Sequence, residues 1–343
     1  MDIKHIVTIG GGTGQYVLLS ALKRIEGIEI SAVVSMVDSG GSTGRLRDEL
    51  GILPPGDVLK CILALSPHQE MARTIFLKRF RKDRRLEGHN AGNMLLTMLS
   101  RFTGSFPTGI QALAEILDVR GTILPVTIDP ATLVAELTDG SRIYGEHAID
   151  VPRGTQREKI RDVYLVPHHS DTISVYPPVT EAIARADTIL IGPGDLFTSI
   201  VPNLIVPGMA QALAAAPGPI FYLLNIMTKF GETHQFKGRT FVTQLEAKLK
   251  RPVDGVIYNT RQPPDDMLAA YGRQKSDMVQ IDPQNPGWAG RQLVGRDLLD
   301  ASGNILRHHP VKLAVLLGHL LERPLKNAAQ QAAPQPMQPS LSG

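Results

Sequence analysis

Short continuous apolar runs alternate with longer stretches in which apolar residues recur at helical spacing. Ile6-Val-Thr-Ile9 is the first run. It closes in Gly10-Gly-Gly-Thr-Gly14, and residues 15–26 behind it read as a helix with Leu18, Ala21, Leu22 and Ile25 on one face. Residues 30–36 predict a second strand, ending in Asp38-Ser-Gly-Gly-Ser-Thr-Gly44. Val58, Ile62 and Leu65 predict a helix opening at Pro55-Gly-Asp57. Leu95, Met98, Leu99 and Phe102 predict another, opening at Gly88-His-Asn-Ala-Gly-Asn93, and residues 109–118 keep the helical character. Ala135-Glu-Leu-Thr138 followed by Asp139-Gly140 is a hairpin signal, so residues 123–176 read as a β-rich excursion. Alternation then resumes, with helices at 178–186, 203–215, 239–250, 264–272 and 310–321 and strands at 188–191, 220–224 and 254–258. The pattern predicts an α/β fold, Rossmann-like, with a mostly parallel sheet, helices on both faces and a β-rich insertion. One domain over 1–324 is expected, and the Gln-, Ala- and Pro-rich residues 325–343 are expected to be disordered.

Candidate chemistry gathers where predicted strands end. In an open parallel sheet the loops at the carboxyl ends of the strands hold ligands. Five such segments carry phosphate- or sugar-binding residue types: Gly10–Gly14, Asp38–Gly44, Gly56-Asp57, Gly192–Asp195 and Asn225–Thr233. Glycines let a ligand approach the main chain, and the following helix start aims unpaired N–H groups at an anion. Two guanidinium groups, Arg45 and Arg47, follow the second loop near an expected helix N-terminus. Positive charge is disfavoured there unless an anion is present. A dinucleotide fingerprint counted from Gly10 places Gln15 at its third glycine, and the second glycine cluster directly after Asp38 is foreign to a ribose-binding acid. No Gly-Lys-Ser/Thr follows the first cluster, so a Walker loop is absent. Asp57, in a helix first turn, fits both a dipole partner and a site residue. His89 and Asn90 fit either a cap or a ligand contact, as do Glu232 and Thr233.

Composition narrows the class. Hydrophobic content of 43% and charged content of 20% describe a globular chain with ample core. A net charge of +3 does not by itself point to nucleic acid. The run Lys78–Arg85 reads as a solvated helix face over Phe76 and Phe80, without the exposed aromatics that stack bases. One cysteine, Cys61, excludes a disulfide framework, and the pairs His168-His169 and His308-His309 have no acid or cysteine at ligand spacing. Met1-Asp-Ile-Lys4 lacks the features of a signal peptide, and no apolar run reaches about 18 residues, so a cytoplasmic protein without a membrane segment is expected.

Six motifs in order carry a family resemblance: Gly-Gly-Gly-Thr-Gly, Asp-x-Gly-Gly-Ser-x-Gly-Arg-Leu-Arg, Pro-Pro-Gly-Asp-Val, Gly-His-Asn-x-Gly-Asn, Gly-Pro-Gly-x-Leu-Phe-Thr-Ser-Ile and Asn-x-Met-Thr-x-x-Gly-Glu-Thr. From about residue 4 to 320 the chain resembles the bacterial gluconeogenesis factors, relatives of the 2-phospho-L-lactate transferases of deazaflavin cofactor biosynthesis. On the regulator side the resemblance implies binding of UDP-sugars such as UDP-N-acetylglucosamine, with roles in carbon metabolism and cell-envelope or cell-shape maintenance. On the transferase side it implies transfer of a phospholactyl-type group to a deazaflavin alcohol, with Mg²⁺ and release of a nucleoside monophosphate. The matched ligand-binding positions are Gly11, Gly12, Thr13, Gly14, Ser39, Gly40, Gly41, Ser42, Thr43, Arg45, His89, Asn90, Asn93, Gly192, Pro193, Gly194, Thr198, Asn225, Thr228, Glu232 and Thr233. Asp38 and Asp57 are the catalytic acids if the chain is a transferase. The family commonly has a second acid where Ser39 stands and a serine where Asp195 stands, so either the ligand is slightly different or a Mg²⁺ is held by a rearranged pair, Asp38 with Asp195. A homo-oligomer and protein partners are compatible with this resemblance. The regulator-type motif Gly-Gly-Ser-x-Gly-Arg-Leu-Arg is intact, which favours that branch.

Overall fold

The computed structural model describes residues 2–81, 86–152, 154, 156–168 and 171–326. Strand β1 (Lys4–Gly10) runs through Gly11 into α1 (Gly12–Leu22), and β2 (Ile28–Val34) leads to α2 (Gly41–Leu50). Helices α3 (Gly56–Leu65), α4 (Gln69–Phe76), α5 (Ala91–Thr103) and α6 (Phe106–Ile116) precede β3 (Thr122–Pro125). An excursion follows, made of β4 (Ala131–Leu137), β5 (Arg142–Tyr144), the short α7 (Glu146–Asp150) and β6 (Ile160–Pro167). The chain returns through α8 (Pro177–Ala184) to β7 (Thr188–Ile191), a π-helical turn (Leu196–Ile200), α9 (Val201–Leu204), α10 (Met209–Ala214) and β8 (Ile220–Leu223). Then come α11 (Gly238–Leu249), β9 (Gly255–Asn259), α12 (Asp265–Arg273), β10 (Gln292–Arg296), the small pair β11 (Leu299–Asp300) and β12 (Arg307–His308), and α13 (Pro310–Leu320).

Seven strands form one sheet in the order β3-β2-β1-β7-β8-β9-β10, and every neighbouring pair is parallel. The order steps one way from β1 to β3 and the other way from β7 to β10. Strands β1 and β7 therefore flank the topological switch point, the place where an open α/β sheet splays its loops apart and leaves a crevice. Strands β7 and β8 are buried at every position, as expected of strands covered on both faces. The excursion is a separate three-stranded antiparallel sheet, β5-β4-β6. Its hairpin turns at Gly140, whose φ of +84° suits a residue without a Cβ. Strand β3, which the sequence assigned to this excursion, belongs to the main sheet beside β2.

Several local expectations change. Helix α1 starts at Gly12, so the glycines form its first turn rather than a loop before it. Helix α2 begins at Gly41, which puts Arg45 mid-helix and Arg47 in the last turn; the argument from an N-terminal dipole does not apply to them. On α5 the buried face is Gly92, Asn93, Leu96, Thr97 and Ser100, whereas Met98 and Phe102 are 50% and 82% exposed. Small residues win that face because α6 crosses there at close range: a Cβ on Gly109 would lie 2.7 Å from the backbone nitrogen of Ser100. The helix expected over 203–215 is divided, because Pro207 and Gly208 (φ +100°) separate α9 from α10. Helix α4 ends at Phe76, and Phe80 exchanges backbone hydrogen bonds with His89 and Gly88 instead of extending a helix face. Lys82–Arg85 of the basic run lie outside the described residues, as does His169. Leu325 bridges to Ile25, so the placed chain continues past Pro324; residues 327–343 lie outside the described residues. Among the described residues no helix is long and apolar enough to cross a membrane.

Candidate functional site

Both glycine loops of the switch point touch. A Cβ on Gly14 would stand 2.1 Å from the carbonyl oxygen of Pro193, so the first turn of α1 can meet the Gly192–Gly194 loop only without a side chain there. Gly12 has φ +63°, and a Cβ on it would meet nothing closer than 3.8 Å. It is the first residue of α1, at the positive end of that helix. Gln15, at the position of a third dinucleotide-fingerprint glycine, is buried and donates to Thr8 Oγ1 and the carbonyl of Val33. It braces α1 against β1 and β2, where the fingerprint's third glycine would allow close helix–strand packing.

Helix α3 delivers Asp57 to this crevice. A Cβ on Gly11 would fall 2.9 Å from Asp57 Oδ2 and 3.5 Å from Ser35 Cβ, so the carboxylate rests directly on the first loop. Lys60, one turn on, pairs with it at 2.9 Å. Gly56 is equally confined: its Cβ would meet Thr43 Oγ1 at 2.4 Å and Asp38 Oδ2 at 2.9 Å. Asp38, Thr43, Asp57 and Lys60 thus surround one point at the ends of β1 and β2. Burial raises the Asp38 carboxyl above the usual range, and the neighbouring Asp57 charge adds to this against the opposing pull of Gly40 N–H and Lys60.

The start of α5 holds the second segment. Asn90 caps α5 by accepting from the N–H of Asn93 at 2.7 Å, so the capping role is the one the structure shows. His89 Nδ1 lies 2.9 Å from Ser42 Oγ, and Asn93 Nδ2 reaches Ser42 and Thr43. Burial, with Arg45 nearby, holds the His89 imidazole below its ordinary pKa. Arg45 donates to the carbonyl of Glu87 and is exposed. It grips the loop before α5.

Asp195 belongs to another cluster. Its Oδ2 pairs with Lys229 Nζ at 2.8 Å, and the same ammonium meets Asp150 and, at 3.3 Å, Glu232. Carboxylate oxygens of Asp150, Asp195 and Glu232 lie within 4.8 Å of one another. Three acids share one ammonium, and burial with mutual repulsion pushes Glu232 up to about 8 and raises Asp195. Glu232 also accepts from the N–H of Phe197 and from Thr198 Oγ1, which ties the turn after β7 to the turn after β8. Thr233 accepts from Lys229 N–H, Thr228 from Asp277 N–H, and Asn225 from Gly194 N–H. The structure therefore brings Asp38 to Asp57, and groups Asp195 with Lys229.

The excursion supplies residues that no sequence signal marked. Glu146 Oε2 accepts from Ser39 N–H, while Ser39 Oγ accepts from His147 N–H, so α7 is stapled to the second loop. Burial, then Asp38 and Asp150, push the Glu146 carboxyl up to about 8. It lies between the two acid groups. Lys60 was legible as an i,i+3 partner of Asp57, and Lys229 as one of Glu232, but their roles appear only once the loops meet. The histidine pair His308-His309 is structural: His309 caps α13, and buried His308 bonds the backbone of Leu224, its pKa lowered by burial to about 4.

The parallel sheet and its switch-point crevice, lined by helix starts and by carboxylates, define a Rossmann-like α/β protein. A family model described as 2-phospho-L-lactate transferase CofD matches residues 6–299, and the chain belongs to that family. Curated relatives carry the name gluconeogenesis factor. That of Bacillus subtilis is 35% identical over 318 residues, covering 92% of this chain and 98% of its own, and a putative one from Thermotoga maritima is 40% identical over 314 residues, covering 90% and 96%. The crystal structure of a UPF0052 family protein from Bacillus halodurans superposes with a TM-score of 0.84 at 34% identity, over 92% of this chain and 99% of that one.

Proposed function

We propose that this protein is a gluconeogenesis-factor-type regulator. It binds a nucleotide-diphospho-sugar of the UDP-N-acetylglucosamine kind across the switch point and takes part in controlling carbon metabolism and cell-envelope or cell-shape maintenance. The observation that carries this reading is the contact of the first and fourth loops, where Gly14 meets Pro193 in the first turn of α1, two residues after Gly12 (φ +63°). The diphosphate sits at the start of α1, where backbone N–H groups and the dipole favour it. Ribose or sugar hydroxyls satisfy Asp38 and Asp57, which would otherwise repel a phosphate. Arg45 joins the phosphate only by leaving the Glu87 carbonyl, so it ranks behind the glycine loops as a ligand contact.

A second reading, a transferase forming a phosphodiester on a deazaflavin alcohol, is favoured by the Asp38–Asp57 pair. Two adjacent carboxylates beside a phosphate loop suit Mg²⁺, which takes one or two carboxylates together with phosphate oxygens. The raised Asp38 carboxyl fits that role, because a divalent cation would relieve the repulsion from Asp57. Mg²⁺ would neutralise charge on the transferring phosphate. Asp57, held by Lys60, would orient the attacking hydroxyl.

Calorimetric titration with UDP-N-acetylglucosamine separates these readings. Wild type is expected to bind with an affinity indifferent to EDTA, and Gly12→Val, folded by circular dichroism, is expected to lose binding because valine resists φ +63°. Asp57→Asn should stay within about tenfold, about 1.4 kcal/mol. Unchanged affinity in folded Gly12→Val would remove the first loop from the site. Mg²⁺-dependent release of a nucleoside monophosphate, lost in Asp38→Asn or Asp57→Asn, would replace the regulator by the transferase.

A further inference from the structure

A cavity of about 620 Å³ opens beneath the sheet, at the far ends of the two helices that start in the crevice. Lys23 and Arg24 follow the end of α1, Leu65 closes α3, and Arg120 and Lys326 complete the wall. Helix α1 has 11 residues, so this cavity is roughly 16 Å from the glycine loop. Four of the lining residues are Lys or Arg, against one carboxylate, Glu70.

Cations gather naturally at helix C-termini, where carbonyls lack partners. The lysines fit that explanation. Lys23 donates to the carbonyl of Ser66, just after α3, and Lys326 to the carbonyl of Lys23, just after α1. The arginines do not. Among the described residues neither Arg24 nor Arg120 has a side-chain hydrogen bond or an ion pair, and Arg24 Nε is buried without a partner. A guanidinium carries five donors and does not give up its charge, so the one buried unpartnered donor, Arg24 Nε, is costly unless an anion meets it. The size falls in the range of small-ligand sites, and Leu65, Pro67 and Met71 give part of the wall an apolar surface.

We propose that the cavity bounded by Lys23, Arg24, Arg120 and Lys326 is a second binding site, for a small anion carrying two or more phosphoryl groups. Planar forks on Arg24 and Arg120 match phosphate oxygens, and the lysines add charge at the rim. Mutual repulsion supports this: burial and Arg24 lower the Lys23 ammonium to about 8, and burial and Arg120 lower that of Lys326. Such a cluster releases its strain when an anion enters. The site stands independently of what the switch-point crevice binds.

Calorimetric titration of the full chain with inorganic pyrophosphate tests it, with Gly12→Val included to silence the glycine loop. Wild type and Gly12→Val should both bind, with affinities within about threefold of each other. Arg24→Gln/Arg120→Gln should lose at least tenfold, since one charge-assisted contact accounts for about ten- to a hundredfold. Arg120 is exposed, so Arg120→Gln alone decides the matter if the double variant does not fold. Absence of pyrophosphate binding to Gly12→Val, or full affinity in folded Arg120→Gln and in the folded double variant, would overturn the proposal. Citrate binding without pyrophosphate binding would overturn the phosphoryl assignment.

Discussion

Glu146 shows how one residue reports on the whole acid network. Its carboxyl titrates at about 8, well above an ordinary glutamate, because burial and the charges of Asp38 and Asp150 disfavour ionisation. Between its unfolded pKa near 4.5 and its folded value the native state holds a proton that the unfolded chain has released. Stability contributed by this group is therefore complete at acid pH and falls as pH rises through that window. A glutamine in its place would keep the acceptor for Ser39 N–H without the titration. Glu146→Gln is thus expected to melt close to wild type at pH 5 and above it at pH 8.5. A melting-temperature difference that does not grow with pH would show that Glu146 ionises normally.

Among the elements, the crossing of α5 and α6 has the least freedom. Gly109 lies against Ser100, and its added Cβ would stand 2.5 Å from Ser100 Oγ, 2.7 Å from the backbone nitrogen and 2.8 Å from Cα. Backbone cannot yield as a side-chain tip can. Gly109→Ala should push the helices apart and cost about 1–3 kcal/mol, despite alanine's higher helix propensity. Thermal or urea denaturation measures it, and a variant as stable as wild type would mean that the crossing is looser than the packing indicates. Because α5 carries His89, Asn90 and Asn93 at its start, the same change should weaken ligand binding through α2.

At the scale of the molecule, the larger apolar cluster runs from Ile6 in the first strand to Leu321 after the last helix and takes in β4 and β6 of the excursion. Such a core predicts that parts distant in sequence unfold together. The only tryptophan, Trp288, is 5% exposed, donates to the carbonyl of Asp282 and lies far along the chain from the glycine loops. Its fluorescence and the far-ultraviolet circular dichroism should therefore trace the same urea transition. Two separated midpoints would show that the part around β9 and β10 opens as its own unit.

Sequence by itself determined the α/β class, the alternation of strands and helices, the hairpin at Asp139-Gly140 and the glycine segments that collect at strand ends. These are local: apolar period, turn chemistry and glycine content are written within a dozen residues of where they act. Edge strand β10 escaped because Gln292-Leu-Val-Gly-Arg296 is short and half exposed, with no apolar run. Only the tertiary structure decided that β1 and β7 are neighbours, and hence that Gly14 meets Pro193. It also decided that Asp38 feels the charge of Asp57 while Asp195 joins Lys229, that Arg45 holds the loop before α5, and that α7 closes on Ser39. Each of these depends on residues brought together across long stretches of chain, whose distances are set by strand order and helix packing. Spacing along a single chain does not carry that information.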